Sequence, residues 1–140
     1  MEFEDFVKEG VVKRSSRNPA LVNALLKSSA KSIKNIERTN IDELNAESVT
    51  AETYDIMREL IEVKLNIEGF KSYSHEATIL FLKKFKEFNE GEIIFLDNLR
   101  KVRNGIKYYG KEVYPDDAEK ARNFLMDILP KLKKLVKNEI

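Results

Sequence analysis

The sequence predicts an all-α fold, an antiparallel bundle of about five helices. Three observations carry the fold class. Charged residues make up 35% of the 140, while Gly and Pro number only five and three, so chain breakers are scarce. Five segments repeat apolar residues at the three-or-four spacing of a helix face. The connections between them are short, which sets successive helices antiparallel. Hydrophobic residues at 42%, with eight Phe and five Tyr, suffice for one core, and the length is that of a single domain.

Residues 1–17 read as an N-terminal arm and 18–140 as the bundle. In the arm, Phe3, Phe6 and Val7 share a helical face that Gly10 ends, and VVKRSSR reads as an extended, solvated connector. The first bundle helix starts at Asn18-Pro19, a good cap followed by Pro at the first helical position, and runs to about Arg38. Leu21, Leu25, Ser28, Ser32 and Ile36 line one face, and Val22, Leu26, Ser29 and Ile33 the next; the serines let another backbone approach. TNIDELNAESVT is polar and reads as a loop. The second helix spans about Ala51 to Glu68 and is apolar nearly all round, as in a central helix or one at an oligomer contact; Gly69 closes it.

Ser74 caps the third helix, whose stripe is Ala77, Phe81, Phe85 and Phe88 and whose end is Asn89-Glu90-Gly91. The fourth runs from about Glu92 to Tyr108, with Phe95, Leu99, Val102, Ile106 and Tyr109 as a coiled-coil-like seam. Pro115-Asp116-Asp117 opens the fifth, which continues through Ala118, Ala121, Leu125, Ile128, Leu132 and Leu135, with a bend expected at Pro130. Its Lys-rich end, KLKKLVKNEI, reads as a solvated amphipathic helix.

Lys plus Arg is 25 against 24 Asp plus Glu, a net charge of +1, so total charge does not demand nucleic acid. No cysteine is present, which removes disulfides, thiolate zinc sites and cysteine nucleophiles and fits a reducing compartment. No apolar run approaches a membrane span, and MEFEDFVKEG lacks the basic-then-apolar plan of a signal peptide, so the expected location is cytoplasmic.

The strongest local chemical signal is RNGIKYYG, Arg103 to Gly110. Arg100, Arg103 and Lys107 stand at i, i+3 and i+7 on one helix face, with Asn104, Tyr108 and Tyr109 beside them. Such a row can hold a phosphate and stack a base. The same residues also fit a helix end whose cations match the negative pole, with two tyrosines packing at the rim. His75 is the only histidine, so a multi-histidine metal site within one chain is excluded. At the start of a helix the dipole keeps its imidazole neutral, in a turn or against a partner. The carboxylates are scattered, without metal-ligand spacing, and no phosphate loop or nucleotide fingerprint is present; no metal or cofactor is expected.

Over about residues 18–138 the chain resembles the HEPN superfamily. YDIMRELIEVKLNIEGFKSYSHEATILFL is similar to the second helix, turn and third helix of archaeal and bacterial members. LRKVRNGIKYYGKEVYPDDAEKARNFL is similar to their motif helix and last helix. Many members carry an Arg, four to six residues, then a His, often with a polar residue after the Arg. The active ones are metal-independent RNases in which a symmetric dimer joins two copies of the motif. The resemblance places Arg103 at the arginine, Asn104 at the polar position, and Tyr108 or Tyr109 where the histidine would stand. Arg103, Asn104 and Tyr108 are thus the candidate catalytic set, and Arg100, Arg103, Lys107 and Tyr109 the candidate nucleotide or RNA contacts.

A tyrosine titrates near pH 10 and does not exchange protons readily at neutral pH, so binding is expected more than cleavage. On an ideal helix Arg103 and Tyr108 are about 140° apart and converge only if the helix ends or bends between them, for which Gly105 is the candidate. The resemblance further implies a homodimer through the second and motif helices, and a toxin–antitoxin-like setting beside a nucleotidyltransferase partner. Two other outcomes stay open: an RNase active despite the tyrosine, and a helical dimer that scaffolds another protein.

Overall fold

A computed structural model describes residues 1–137 and gives an all-α bundle, 74% helical with 4% strand. Asn138 to Ile140, the tip of the Lys-rich end, lie outside the described residues. The elements in order are α1 (Phe3–Lys8), β1 (Val12–Arg14), α2 (Pro19–Arg38), α3 (Ala46–Ile67), β2 (Phe70–Ser72), α4 (His75–Leu80), a 3-10 turn (Phe81–Lys84), α5 (Glu90–Tyr109) and α6 (Pro115–Val136).

Helix α3 is the central element, packed by α6, α2 and α5. No residue from Val49 to Ile67 is exposed, so the all-round apolar pattern marks the axis of the bundle. The hydroxyls of Thr50 and Thr53 are buried there and donate to the carbonyls of Ala46 (2.8 Å) and Val49 (2.7 Å), so neither is left without a partner. The helix begins at Ala46, earlier than the Ala51 expected. Asp42 Oδ1 accepts from the amides of Leu44 and Asn45, and Asn45 Oδ1 accepts from the Asp42 amide, which confines the turn to TNIDEL. AESVT is helical because Ala46, Val49 and Thr50 face the core, small residues that read as polar loop in the sequence.

Local capping chemistry fixes several boundaries. Asn18 Oδ1 accepts from the Leu21 amide (3.1 Å) ahead of Pro19, and Ser74 Oγ accepts from the Ala77 amide (3.2 Å). Asn89 corrects the third-helix reading. It does not end a helix but opens α5: its Oδ1 accepts from the Glu92 amide (2.8 Å) and Glu92 returns the contact to the Asn89 amide (3.0 Å). The helix after Ser74 ends at Leu80 and tightens into the 3-10 turn, and Phe85 is extended. Its aromatics still pack together, with Phe81 against Phe3 (5.0 Å between ring centroids) and Phe85 (5.3 Å).

Two readings of α5 are overturned. The helix neither ends nor bends at Gly105; it runs to Tyr109, and Gly110 terminates it at φ +63°, with the Lys111 amide returning to the Gly105 carbonyl (3.0 Å). The Lys111 side chain lies across Gly105, where a Cβ would meet its Cδ at 2.9 Å. The buried seam is Ile93, Leu96, Leu99 and Arg103, rotated from the predicted one. Phe95 is partly exposed and stacks on Phe124 of α6 (4.2 Å), and Tyr109 is 87% exposed. In α6, Pro115 opens the helix and Ala118, Ala121, Leu125, Ile128, Leu129, Leu132 and Val136 are buried, with Pro130 carried inside one continuous element.

The arm is bound to the bundle. Phe3, Phe6 and Val12 belong to the main core, and VVKRSSR contributes a strand, with Val12, Lys13 and Arg14 pairing antiparallel with Ser72, Lys71 and Phe70. Arg17 Nε donates to the Ile67 carbonyl (2.7 Å), a cation on the negative end of α3.

Candidate functional site

Between α3 and α5 lies a polar cluster set against the apolar core. Along α3, Asp55, Arg58, Glu59 and Glu62 form a half-buried charged strip between buried apolar residues. Opposite charges at i+3 and i+4 on that strip pair along the helix: Arg58 Nη1 lies 2.8 Å from Glu62 Oε1, and Arg58 Nη2 3.6 Å from Asp55 Oδ1. Across to α5, Arg103 Nε lies 3.3 Å from the same Asp55 oxygen, and Arg103 Nη1 is 3.5 Å from Asn104 Oδ1. One turn earlier Arg100 Nε donates to Asp97 Oδ1 (2.8 Å). On the far side Glu59 accepts from Ser29 Oγ of α2 (3.3 Å).

Beneath the charges sits Tyr54, fully buried. Burial drives its phenol well above the usual value against the opposing pull of Arg58, Arg100 and Arg103, so it stays protonated and is a donor. The His75 ring, at the start of α4, lies 6.3 Å from the Tyr54 ring. Burial first, then the nearby Arg58, hold the imidazole below its usual value, so His75 is neutral at neutral pH.

Four polar atoms here are buried without a hydrogen-bond partner: Tyr54 Oη, Asp55 Oδ1, Arg58 Nε and Arg103 Nε. The Arg103–Asp55 contact is close enough for ion pairing, but its angle does not make a hydrogen bond. Each such atom costs about 1–3 kcal/mol relative to a satisfied one. Three of the four are donors; the fourth, Asp55 Oδ1, is an acceptor 3.3 Å from Arg103 Nε. The formal charge of the cluster is balanced: Arg58, Arg100 and Arg103 face Asp55, Glu62 and Asp97. An incoming anion would have to compete with those carboxylates.

The structure brings together part of the site expected from sequence. Arg103, Asn104 and Arg100 sit in the cluster, although Arg103 is a buried seam residue and not a rim cation. Lys107 is on the same face one turn on and is exposed. Tyr108 and Tyr109 are 66% and 87% exposed, and on a continuous α5 they stand about 140° and 120° around the axis from Arg103. They do not converge on it. Tyr54, Asp55 and Arg58 are not singled out by the sequence, although it carries charged residues of both signs, Asp55, Arg58, Glu59 and Glu62, on a helix that reads as apolar nearly all round. His75, expected in the turn or against a partner, has its ring 6.3 Å from that of Tyr54.

The class that fold and site define is an all-α bundle with a charge-balanced polar cluster between its central helix and α5, in which four buried polar atoms lack a hydrogen-bond partner. No protein-family model, curated protein or solved structure matches the chain. Among the described residues, no helix is long and apolar enough to cross a membrane, and no three His, Cys, Asp or Glu side chains are grouped to hold a metal ion.

Proposed function

We propose that this chain is a HEPN-like module that binds RNA or a nucleotide, seating a phosphate against Tyr54, Arg58, Arg100 and Arg103. The observation that carries the reading is the set of three buried donors without acceptors, from Tyr54, Arg58 and Arg103. Phosphate oxygens are strong acceptors, and Arg presents a planar fork that suits them. The half-exposed Asp55 carboxylate is the group such a phosphate would displace from Arg103. In this reading the partly open α3 strip and α5 form the face of a homodimer, and a nucleotidyltransferase is the fitting protein partner.

Binding is favoured over cleavage because the two tyrosines at the motif's histidine position face away from Arg103. One observation supports the alternative, a metal-independent RNase. The neutral imidazole of His75 stands at the same cluster from another helix and has the protonation state a general base requires.

Arg58→Gln and Arg100→Gln test the proposal, since both side chains are only partly buried and their loss spares the core. Each variant is expected to weaken filter retention of a short single-stranded RNA about tenfold, the equivalent of one charge-assisted contact. Unchanged retention in both would favour a scaffold without a ligand at this cluster.

A further inference from the structure

We propose that the β1–β2 ribbon is a second contact surface for single-stranded RNA, with backbone phosphates on Lys13 and Lys71 and a base on the face of Tyr73; this rests on the reading of the chain as an RNA-binding module. The ribbon's first strand, β1, lies in the segment that reads as a solvated connector in the sequence, and pairing with β2 changes what its charges can do.

The antiparallel register sets Lys13 directly opposite Lys71. Like charges facing across a strand pair destabilise it. The alternation of side chains puts Lys71 and Tyr73 on one face, and the ammonium groups of Lys13 and Lys71 each lie 5.7 Å from the Tyr73 ring centroid. Two cations are therefore gathered around one aromatic ring, and that ring is 64% exposed. Nearby Arg14 stays exposed while lying over Phe70.

The ribbon differs from the α3–α5 cluster in how its cations are paired. There each arginine has a carboxylate at ion-pair distance; here, among the described residues, Lys13, Arg14 and Lys71 have none. Residues 10–17 hold three basic side chains and no acidic one. On a chain that is nearly neutral as a whole, Lys13, Arg14 and Lys71 make a local group of positive charge on this ribbon, and a polyanion would relieve its internal repulsion. An open phenol face flanked by cations suits an unpaired base with phosphates on either side, the arrangement by which single strands are held without sequence readout.

Ribbon and cluster also open onto common ground. A cleft of about 300 Å³ is lined by Ser15, Asn18, Asn66, Lys71 and Glu62 among others. Glu62 is the ion-pair partner of Arg58 at 2.8 Å, which offsets its negative charge. A strand lying on Lys71 thus has a path toward Arg58.

The test uses the full chain carrying Lys13→Ala with Lys71→Ala, and separately Tyr73→Leu, with a short single-stranded RNA as probe. The double variant should bind about tenfold more weakly, and its log–log salt slope should fall by about 1.4, the expected loss for two single-strand phosphate contacts. Its melting temperature should hold or rise, because the facing charges are gone. Tyr73→Leu should weaken binding and leave the salt slope in place. If the double variant keeps the parent's affinity and slope while Arg58→Gln weakens binding, the ribbon proposal is overturned and the cluster reading stands. If the ribbon variants lose binding and Arg58→Gln and Arg100→Gln do not, the ribbon stands and the cluster reading falls. A parent chain that retains no RNA overturns both.

Discussion

Arg103→Ala should destabilise the fold by about 3 kcal/mol, read as a lower urea midpoint at unchanged slope. Arg103 is 6% exposed, within the seam of α5, and its guanidinium faces Asp55 at 3.3 Å. Truncation leaves a cavity in the buried seam of α5, one turn on from Leu99, and leaves the Asp55 carboxylate without its α5 partner. Breaking a fully buried pair by removing one member costs about 3–5 kcal/mol. Asp55 is partly exposed and retains Arg58 at 3.6 Å, so the lower end applies. A loss under about 1 kcal/mol would mean that Arg103 behaves as a rim cation. The size of the effect also makes Arg103→Ala a poor probe of ligand binding, since a weaker fold and a lost contact would be confounded.

Leu125→Ala should cost about 3–4 kcal/mol, the range for a buried leucine whose surroundings relax only in part. Leu125 is fully buried on α6, the helix most extensively packed on α3. The variant removes apolar contact from the element that carries Tyr54, Asp55 and Arg58, so its cost measures how firmly the core holds the cluster. Thermal unfolding followed by circular dichroism reads it directly. A shift equivalent to less than about 1 kcal/mol would show that α6 does not brace α3 as described.

What could be read from the sequence was the chemistry that acts locally. Asn18-Pro19, Ser74 and Pro115 mark helix starts because capping depends on the residue and its next three neighbours. The box Asn89-x-x-Glu92 was equally local, but Gly91 drew the boundary to the wrong side of it. The seam of α5 could not be settled this way. Phe95, Val102 and Ile106 make one apolar row, Ile93 and Leu96 another, and Leu99 belongs to both. The choice follows from α3, whose Asp55 faces an arginine that a hydrophobicity pattern would place outside. Residues of the candidate site divide in the same way. Arg103 and Asn104 carry a recognisable short motif, whereas Tyr54 and His75 meet only because the turn through β2 folds α4 back on α3.

Tyr54→Phe gives the cleanest measurement, melting temperature with and without a short single-stranded RNA. The phenol oxygen is buried and without a partner in the free chain, so removing it should leave the free protein as stable or raise its melting temperature. Under the proposed function the same oxygen would donate to a bound phosphate, so the stabilisation by RNA should fall to less than about half the parent's, in line with a weakened affinity. A variant that melts lower when free yet keeps the parent's full RNA shift would contradict an anion-binding cluster at Tyr54, Arg58 and Arg103.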